Sequence, residues 1–196
     1  VRFSGKYKEF LKIIKKLSIP VLPVFNSTDL IPSNHALYCG RPGADGDRAG
    51  NFVQQNSDLL IILGARMHIR QVGFNSKSFA REAKIIMVDV DKAEMNKPNL
   101  HINIKIQADL KNFLPKMLSM TKNYLPKKNH KDYLSWSKKR KDLYPVLQPH
   151  HYKSQKNTVN PYAMMDKLFS KFKEDEVIVT GDGTAVVVSY KTAVIK

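Results

Sequence analysis

Leu59-Leu60-Ile61-Ile62-Leu63-Gly64-Ala65-Arg66 is the stretch that decides the fold. Its first five positions are all apolar, the length and pattern of a strand covered on both faces, and Gly64 ends it. The pattern repeats over residues 84–88 and stops at Asp89-Val90-Asp91. Residues 101–106 alternate like an outer strand. Between these runs the period changes. Tyr7, Phe10, Leu11, Ile14 and Leu17 fall at helical spacing within residues 4–18. Pro20 follows, and residues 21–25 read as a short strand. A loop rich in Pro, Gly and Asp covers 26–47, then 48–56 read as a helix capped by Asp45 or Asp47. Residues 93–97 suit one helical turn and 108–120 a longer helix. Strands without a wet face, alternating with helices, predict an α/β fold built on a doubly wound parallel sheet.

This pattern stops near residue 120. Residues 121–157 carry Pro126, Pro145 and Pro149 and read as a basic connector with one helix, whose buried stripe is Tyr133, Trp136 and Leu143. Asn160-Pro161 then opens a helix with Tyr162, Met165, Leu168, Phe169 and Phe172 on one side. Residues 176–180 read as a strand, Gly181-Asp182-Gly183 as a turn and 184–196 as a helix. The expected organisation is therefore one domain over 1–120, the connector over 121–157, and the first βα unit of a second α/β domain over 158–196. The chain begins with Val1 and reads as a piece of something longer, its first domain short of an opening strand.

Composition narrows the function. The 196 residues carry a net charge of +16. The excess sits on residues 1–19 (+5) and 111–156 (+10), while 20–75 are neutral. Lysines on a solvated helix face explain it without a nucleic-acid surface. No apolar run approaches the ~20 residues of a membrane span, and no secretory leader pattern is present. The single cysteine, Cys39, cannot form an internal disulfide, which favours a reducing, cytoplasmic setting. Neither nucleic acid nor a membrane is thus an expected partner. The histidines are scattered, without Cys or carboxylate at ligand spacing, so no metal site is assigned.

Parallel sheets bind ligands beyond the carboxyl ends of their strands. Four segments qualify. Gly40-Arg41-Pro42-Gly43 leads into a helix and could cradle a diphosphate with backbone N–H groups, or simply form a tight turn. Gly64-Ala65-Arg66 offers close backbone approach and a guanidinium fork for phosphate; the alternative is an Arg66–carboxylate pair. Asp89-Val90 could meet ribose or adenine groups, or serve the following turn as a cap. Gly183-Thr184 lies in a strand–turn–helix junction, which is also its plain structural reading.

In this order the segments resemble one family. Gly40-Arg41-Pro42-Gly43, Asp47-Arg48-Ala49-Gly50-Asn51-Phe52, Asn56-Ser57-Asp58-Leu59-Leu60 with Gly64-Ala65-Arg66, and Asp89-Val90-Asp91-Lys92-Ala93-Glu94-Met95-Asn96-Lys97 are similar to the central domain of acetolactate synthase-like enzymes that depend on thiamine diphosphate. Phe79-Ala80, Ala108-Asp109-Leu110, Asn160-Pro161 and Val177-Ile178-Val179-Thr180-Gly181-Asp182-Gly183-Thr184-Ala185 continue the resemblance. It implies a Rossmann-like central domain of the FAD/NAD-binding type, followed by the start of the diphosphate-binding domain. The domain carrying the family's catalytic glutamate falls outside these residues.

The resemblance implies a decarboxylase and carboligase of 2-oxo acids, a transferase or lyase using thiamine diphosphate and magnesium, assembled as a homodimer or homotetramer. Carried onto this sequence, the cofactor-binding positions are Gly40, Arg41, Gly43, Gly64, Ala65, Arg66, Asp89 and Val90 for FAD, and Gly183 and Thr184 for the diphosphate of thiamine. No residue here is assigned as catalytic. Gly181-Asp182-Gly183 is not taken as the family's metal motif, because the Asn that completes it would fall 25 to 30 residues later and only thirteen residues follow Gly183. Met67-His68-Ile69-Arg70 stands where the flavin-binding members have Phe-Asp-Asp-Arg, so the site holds FAD, another nucleotide, or none. The piece alone is expected to be inactive; the other function considered is a stand-alone nucleotide-binding or scaffold module.

Overall fold

The computed structural model describes residues 1–98, 100–153 and 156–196. Three parallel strands form one sheet in the order β1-β2-β3: β1 is Leu59–Leu63, β2 is Lys84–Asp89 and β3 is Ile104–Gln107. β1 pairs with β2 from Leu59 opposite Lys84 to Leu63 opposite Val88, and β2 pairs with β3 from Ile86 opposite Ile104 to Asp89 opposite Gln107. The doubly wound expectation holds, because each face of the sheet has its own apolar cover. On one side Val88 joins Phe10, Ile13 and Ile14 of helix α1 (Tyr7–Leu17) and Leu110 and Leu114 of α5 (Leu110–Met120). On the other, Ile62, Ile85 and Met87 pack with Val72, Phe79, Leu100 and Ile102.

The helices start where their caps require. Asp47 caps α2 (Arg48–Gln55) by accepting from the Gly50 amide, and Asp91 caps the single turn α4 (Lys92–Met95) by accepting from Ala93. Asp109 caps α5 through the Lys111 amide, and Asn160 caps α7 (Pro161–Lys171) through Tyr162, with Pro161 in the first turn. A four-residue helix, α3 (Ile69–Val72), follows β1, while α6 (Lys128–Leu143) crosses the connector and α8 (Thr184–Thr192) closes the chain. Among the described residues no helix is long and apolar enough to cross a membrane.

Three local expectations are corrected. Residues 21–25 form no strand, only a single bridge between Val21 and Tyr38. Pro20 and Pro23 have no N–H to donate to a ladder, and the chain turns into a 3-10 segment at Phe25–Ser27. Residues 176–180 also form no strand. Val177 and Val179 are 89% and 90% exposed, and no neighbouring strand supplies a ladder among the described residues. The C-terminal unit is therefore α7 against α8, joined through Met165, Phe169, Val188 and Ala193, with Leu168 left exposed and α8 ending at Thr192.

In α6, finally, Tyr133 and Trp136 stack 5.5 Å apart, but Leu143 faces solvent. Tyr144, just past the helix, takes the packing position instead, its ring 5.0 Å from Phe52.

The two leucines give a direct check. Leu114→Ala should lower the unfolding free energy by about 2–5 kcal/mol, the usual result of emptying a packed core site. Leu143→Ala should change it by less than about 0.5 kcal/mol. Guanidinium denaturation of both variants measures the difference.

Candidate cofactor-binding site

The Gly40–Gly43 segment is closed upon itself and upon α2. The Asp47 carboxylate accepts from the Arg41 amide at 2.6 Å and from the Gly50 amide at 2.5 Å. Asn51 brackets Gly43, accepting from its amide at 2.9 Å and donating to its carbonyl at 3.0 Å. The Ala44 amide goes to Arg70 O, Gly46 to Gly43 O and Asp47 to Arg41 O. Gly50 lets the loop approach, since a Cβ there would stand 2.7 Å from the Arg41 amide nitrogen. The amides of Arg41 and Gly43 are thus already bonded within the loop and are not offered to a diphosphate, so the tight-turn alternative is realised at these two positions.

The loop serves a different end. The Arg41 side chain is 1% exposed and donates from Nη1 to the Tyr190 carbonyl near the end of α8, at 3.0 Å. Tyr190 answers by donating its hydroxyl to the Pro42 carbonyl at 2.9 Å. Ser33 and Ile195 add a second tie, Ile195 N to Ser33 Oγ at 2.9 Å. The sheet domain and α8 are clamped together, with the guanidinium at the negative end of the helix dipole. Arg41 Nε and Nη2 have no partner among the described residues, so burial here strains the satisfaction of a charged group. Burial also pushes Asp47 up from its ordinary value, against the pull of its amide donors. It lifts Tyr38 to about 12 and Cys39 to about 11.

The other strand-end residues do come together. Gly64 (φ 61°) donates its amide to the Val88 carbonyl, which sets the Gly64-Ala65-Arg66 turn beside Asp89 and Val90. Arg66 and Met67 both take positive φ, 53° and 46°, a costly pair of left-handed residues without glycine. Glu94 holds the turn: its Oε1 accepts from Arg66 Nε at 3.1 Å and Nη2 at 2.8 Å, and Lys97 Nζ meets its other oxygen. Lys97 also donates to the Arg66 carbonyl. The bonds to Lys97 and Arg66 keep the Glu94 carboxyl below its usual range. Asp89 is buried and accepts from the Asp91 amide, Asp91 caps α4, and Val90 is exposed. Both plain alternatives for these positions are therefore realised, an Arg–carboxylate pair and a capped turn.

These pairings leave ligand chemistry available. The amides of Ala65 and Arg66 carry no bond among the described residues, and successive N–H groups in such a turn form a concavity suited to an anion. The Arg66 side chain remains 70% exposed. The Gly64–Arg66 turn, with Asp89 and Val90 following the neighbouring strand, is thus the place where this chain could hold a nucleotide diphosphate. His68, next to the turn, is held below its ordinary value by desolvation and by Lys97. Sequence reasoning missed Glu94, Lys97, Tyr190 and Asn51 as partners. Only the i, i+3 spacing of Glu94 and Lys97 hinted at a pair.

Gly183 and Thr184 stand at the exposed start of α8, and Gly183 supplies no side-chain cap. The first amides of α8 are thereby left to solvent or an anion, which fits a diphosphate. The Arg41 loop grips α8 at the opposite end. No group of three or more His, Cys, Asp or Glu side chains able to hold a metal occurs among the described residues.

The clamp predicts the behaviour of Cys39. The thiol is wholly buried and its proton is held to about 11, so a thiol reagent at pH 8 should not label it until the loop opens. Asp47→Ala should raise the native-state labelling rate by at least tenfold, as loss of two charged hydrogen bonds implies. Equal rates in the two proteins would mean that Asp47 does not hold the loop.

Comparison with known proteins identifies the family. Residues 1–117 match the family described as thiamine pyrophosphate enzyme, central domain. A probable acetolactate synthase large subunit from Methanococcus aeolicus is 36% identical over 132 residues, covering 67% of this chain and 22% of that protein. Acetolactate synthase from Mycobacterium leprae is 32% identical over 183 residues, covering 91% of this chain and 28% of its own length. The large subunit from Lactococcus lactis is 27% identical over 182 residues, 93% of this chain and 30% of the relative. The chain thus spans between 22% and 30% of the length of these relatives. With residues 1–117 matched to its central domain, the chain belongs to the thiamine pyrophosphate enzyme family.

Proposed function

We propose that this chain is part of a thiamine diphosphate-dependent enzyme that decarboxylates a 2-oxo acid and joins the product to a second carbonyl compound, a reading supported by its likeness to proteins named acetolactate synthase. The observation that carries the reading is the continuity of the likeness. It runs through the central domain and on past the connector, over 183 residues in the Mycobacterium leprae relative. Thiamine diphosphate, with magnesium, would supply the stabilised carbanion that such chemistry needs.

Within that enzyme the residues divide by position. Gly183 and Thr184, at the uncapped start of α8, would meet the diphosphate of thiamine. Arg41 and Tyr190 would keep that helix in place from its far end. Gly64, Ala65 and Arg66, with Asp89 and Val90, would hold FAD or another nucleotide. The enzyme would work as a homodimer or homotetramer in the cytoplasm on small-molecule substrates. The 196 residues alone would be inactive, because nothing in them is assigned to the proton transfers of the reaction.

Two measurements test this. The isolated chain, given pyruvate, thiamine diphosphate and magnesium, should release no carbon dioxide above background; turnover would overturn the inactive-part reading. Arg66→Gln should weaken binding of FAD or ADP by about tenfold or more, the scale of one charged hydrogen bond. Unchanged affinity would remove the nucleotide from the strand ends.

A further inference from the structure

A second place in the molecule is built for an anion and belongs to neither of the sites above. A cleft of about 900 Å³ lies between α2, residues 144–148 of the connector and the α7–α8 unit. That volume falls within the range of small-molecule sites. Arg48, Asn51, Phe52 and Gln55 of α2 line one wall. Their i, i+3, i+4, i+7 spacing puts them on one helix face.

The charges in this cleft are unbalanced. Arg48 lies 4.7 Å from the Tyr144 ring centre and 5.7 Å from that of Phe52, and it pairs with no carboxylate among the described residues. The rings hold the guanidinium in place while its N–H fork stays unused. Arg81, also without a carboxylate partner among the described residues, stands at the other end of α2, where the Ala80 amide bonds Gln55 Oε1 at 2.7 Å. On the facing wall Lys191 bonds the Tyr162 hydroxyl at 3.3 Å. The carboxylate of the lining, Asp47, is occupied on both oxygens by the Arg41 and Gly50 amides.

The shape of the ligand follows from these placements. Arg48 and Gln55 are seven residues apart, about 10 Å along a helix, so Arg48 and Arg81 enter the cleft from opposite ends of α2. An anion with charge spread along its length would engage both. His151 stacks on Tyr162 with ring centres 4.5 Å apart, so the pair offers a flat aromatic surface beside the cations. A chain of phosphates attached to a planar base meets both demands.

We propose that the cleft between α2 and the connector binds a nucleoside polyphosphate, its phosphates between Arg48, Arg81 and Lys191 and its base against the aromatic wall. This site is independent of the Gly64–Arg66 turn, and either could exist without the other.

Isothermal titration of the whole chain with ATP, and separately with inorganic tripolyphosphate, tests it. ATP should bind. In an Arg66→Gln background, which removes the strand-end contribution, ATP should still bind, and adding Arg81→Gln or Lys191→Gln should weaken that remaining binding about tenfold. Tripolyphosphate should bind at least tenfold more weakly than ATP, as the loss of base stacking requires. Circular dichroism melts confirm that the exposed-site variants remain folded. Absence of ATP binding overturns the proposal. So does ATP binding that is lost in Arg66→Gln, which would assign the ligand to the strand ends. Equal affinity for tripolyphosphate would overturn the nucleoside part.

Discussion

One carboxylate organises the junction on which the rest of this molecule depends. Asp47 caps α2 through the Gly50 amide and pins the preceding loop through the Arg41 amide, both from a buried position. The cost is visible in its proton affinity, which burial raises despite the two donors. In return the loop is brought against the helix so closely that position 50 admits no side chain. Arg41 is thereby aimed at the end of α8, and Tyr190 returns a hydrogen bond to the same loop. Through this node, together with the Phe25–Tyr190 ring contact at 4.8 Å, a sheet domain and a C-terminal helix pair are joined. Polar contacts of this kind tolerate little substitution, because removing one partner leaves the other buried and unbonded.

The same economy recurs at the strand ends. The β1–β2 ladder delivers Gly64 next to Val88, and the chain then takes two left-handed residues in succession at Arg66 and Met67. Glu94, from the turn after β2, ties that conformation down through Arg66, with Lys97 as its second partner. Strain maintained by an ion-pair cluster beyond the ends of parallel strands is a recognised sign of a ligand site. Here it leaves two amides and one guanidinium edge facing outward.

The large positive charge has a less uniform meaning. Most of the lysines on α1 and α6 are exposed and face water. Arg48, Arg81 and Lys191 differ because they converge on a cleft whose carboxylate is already engaged. Charge becomes informative where folding gathers it, and the net value of +16 conceals that distinction.

Much of the fold was legible because it depends on local regularity. The all-apolar run at 59–63 reads as a strand and is β1 with those bounds, although Leu59 stays 46% exposed and only Ile62 is buried. Asp47, Asn160 and Pro161 mark helix starts by their own side-chain chemistry. Residues 21–25 and 176–180 misled for one reason: a strand exists only with a partner, and β-propensity does not reveal whether one is adjacent. The candidate site divides the same way. The strand-end positions Gly64 to Arg66 and Asp89 followed from the rule for parallel sheets. The partners of those residues did not, since Arg41 meets Tyr190 across 149 positions and Arg66 meets Glu94 across 28. By itself the sequence determined the three strands of the parallel sheet, the capped helix starts and the family likeness, all of which are encoded in short-range pattern and residue order. Only the tertiary structure decided that the Gly40 loop is a clamp rather than a cradle. That outcome depends on which distant groups reach its amides first, and no local pattern carries that information.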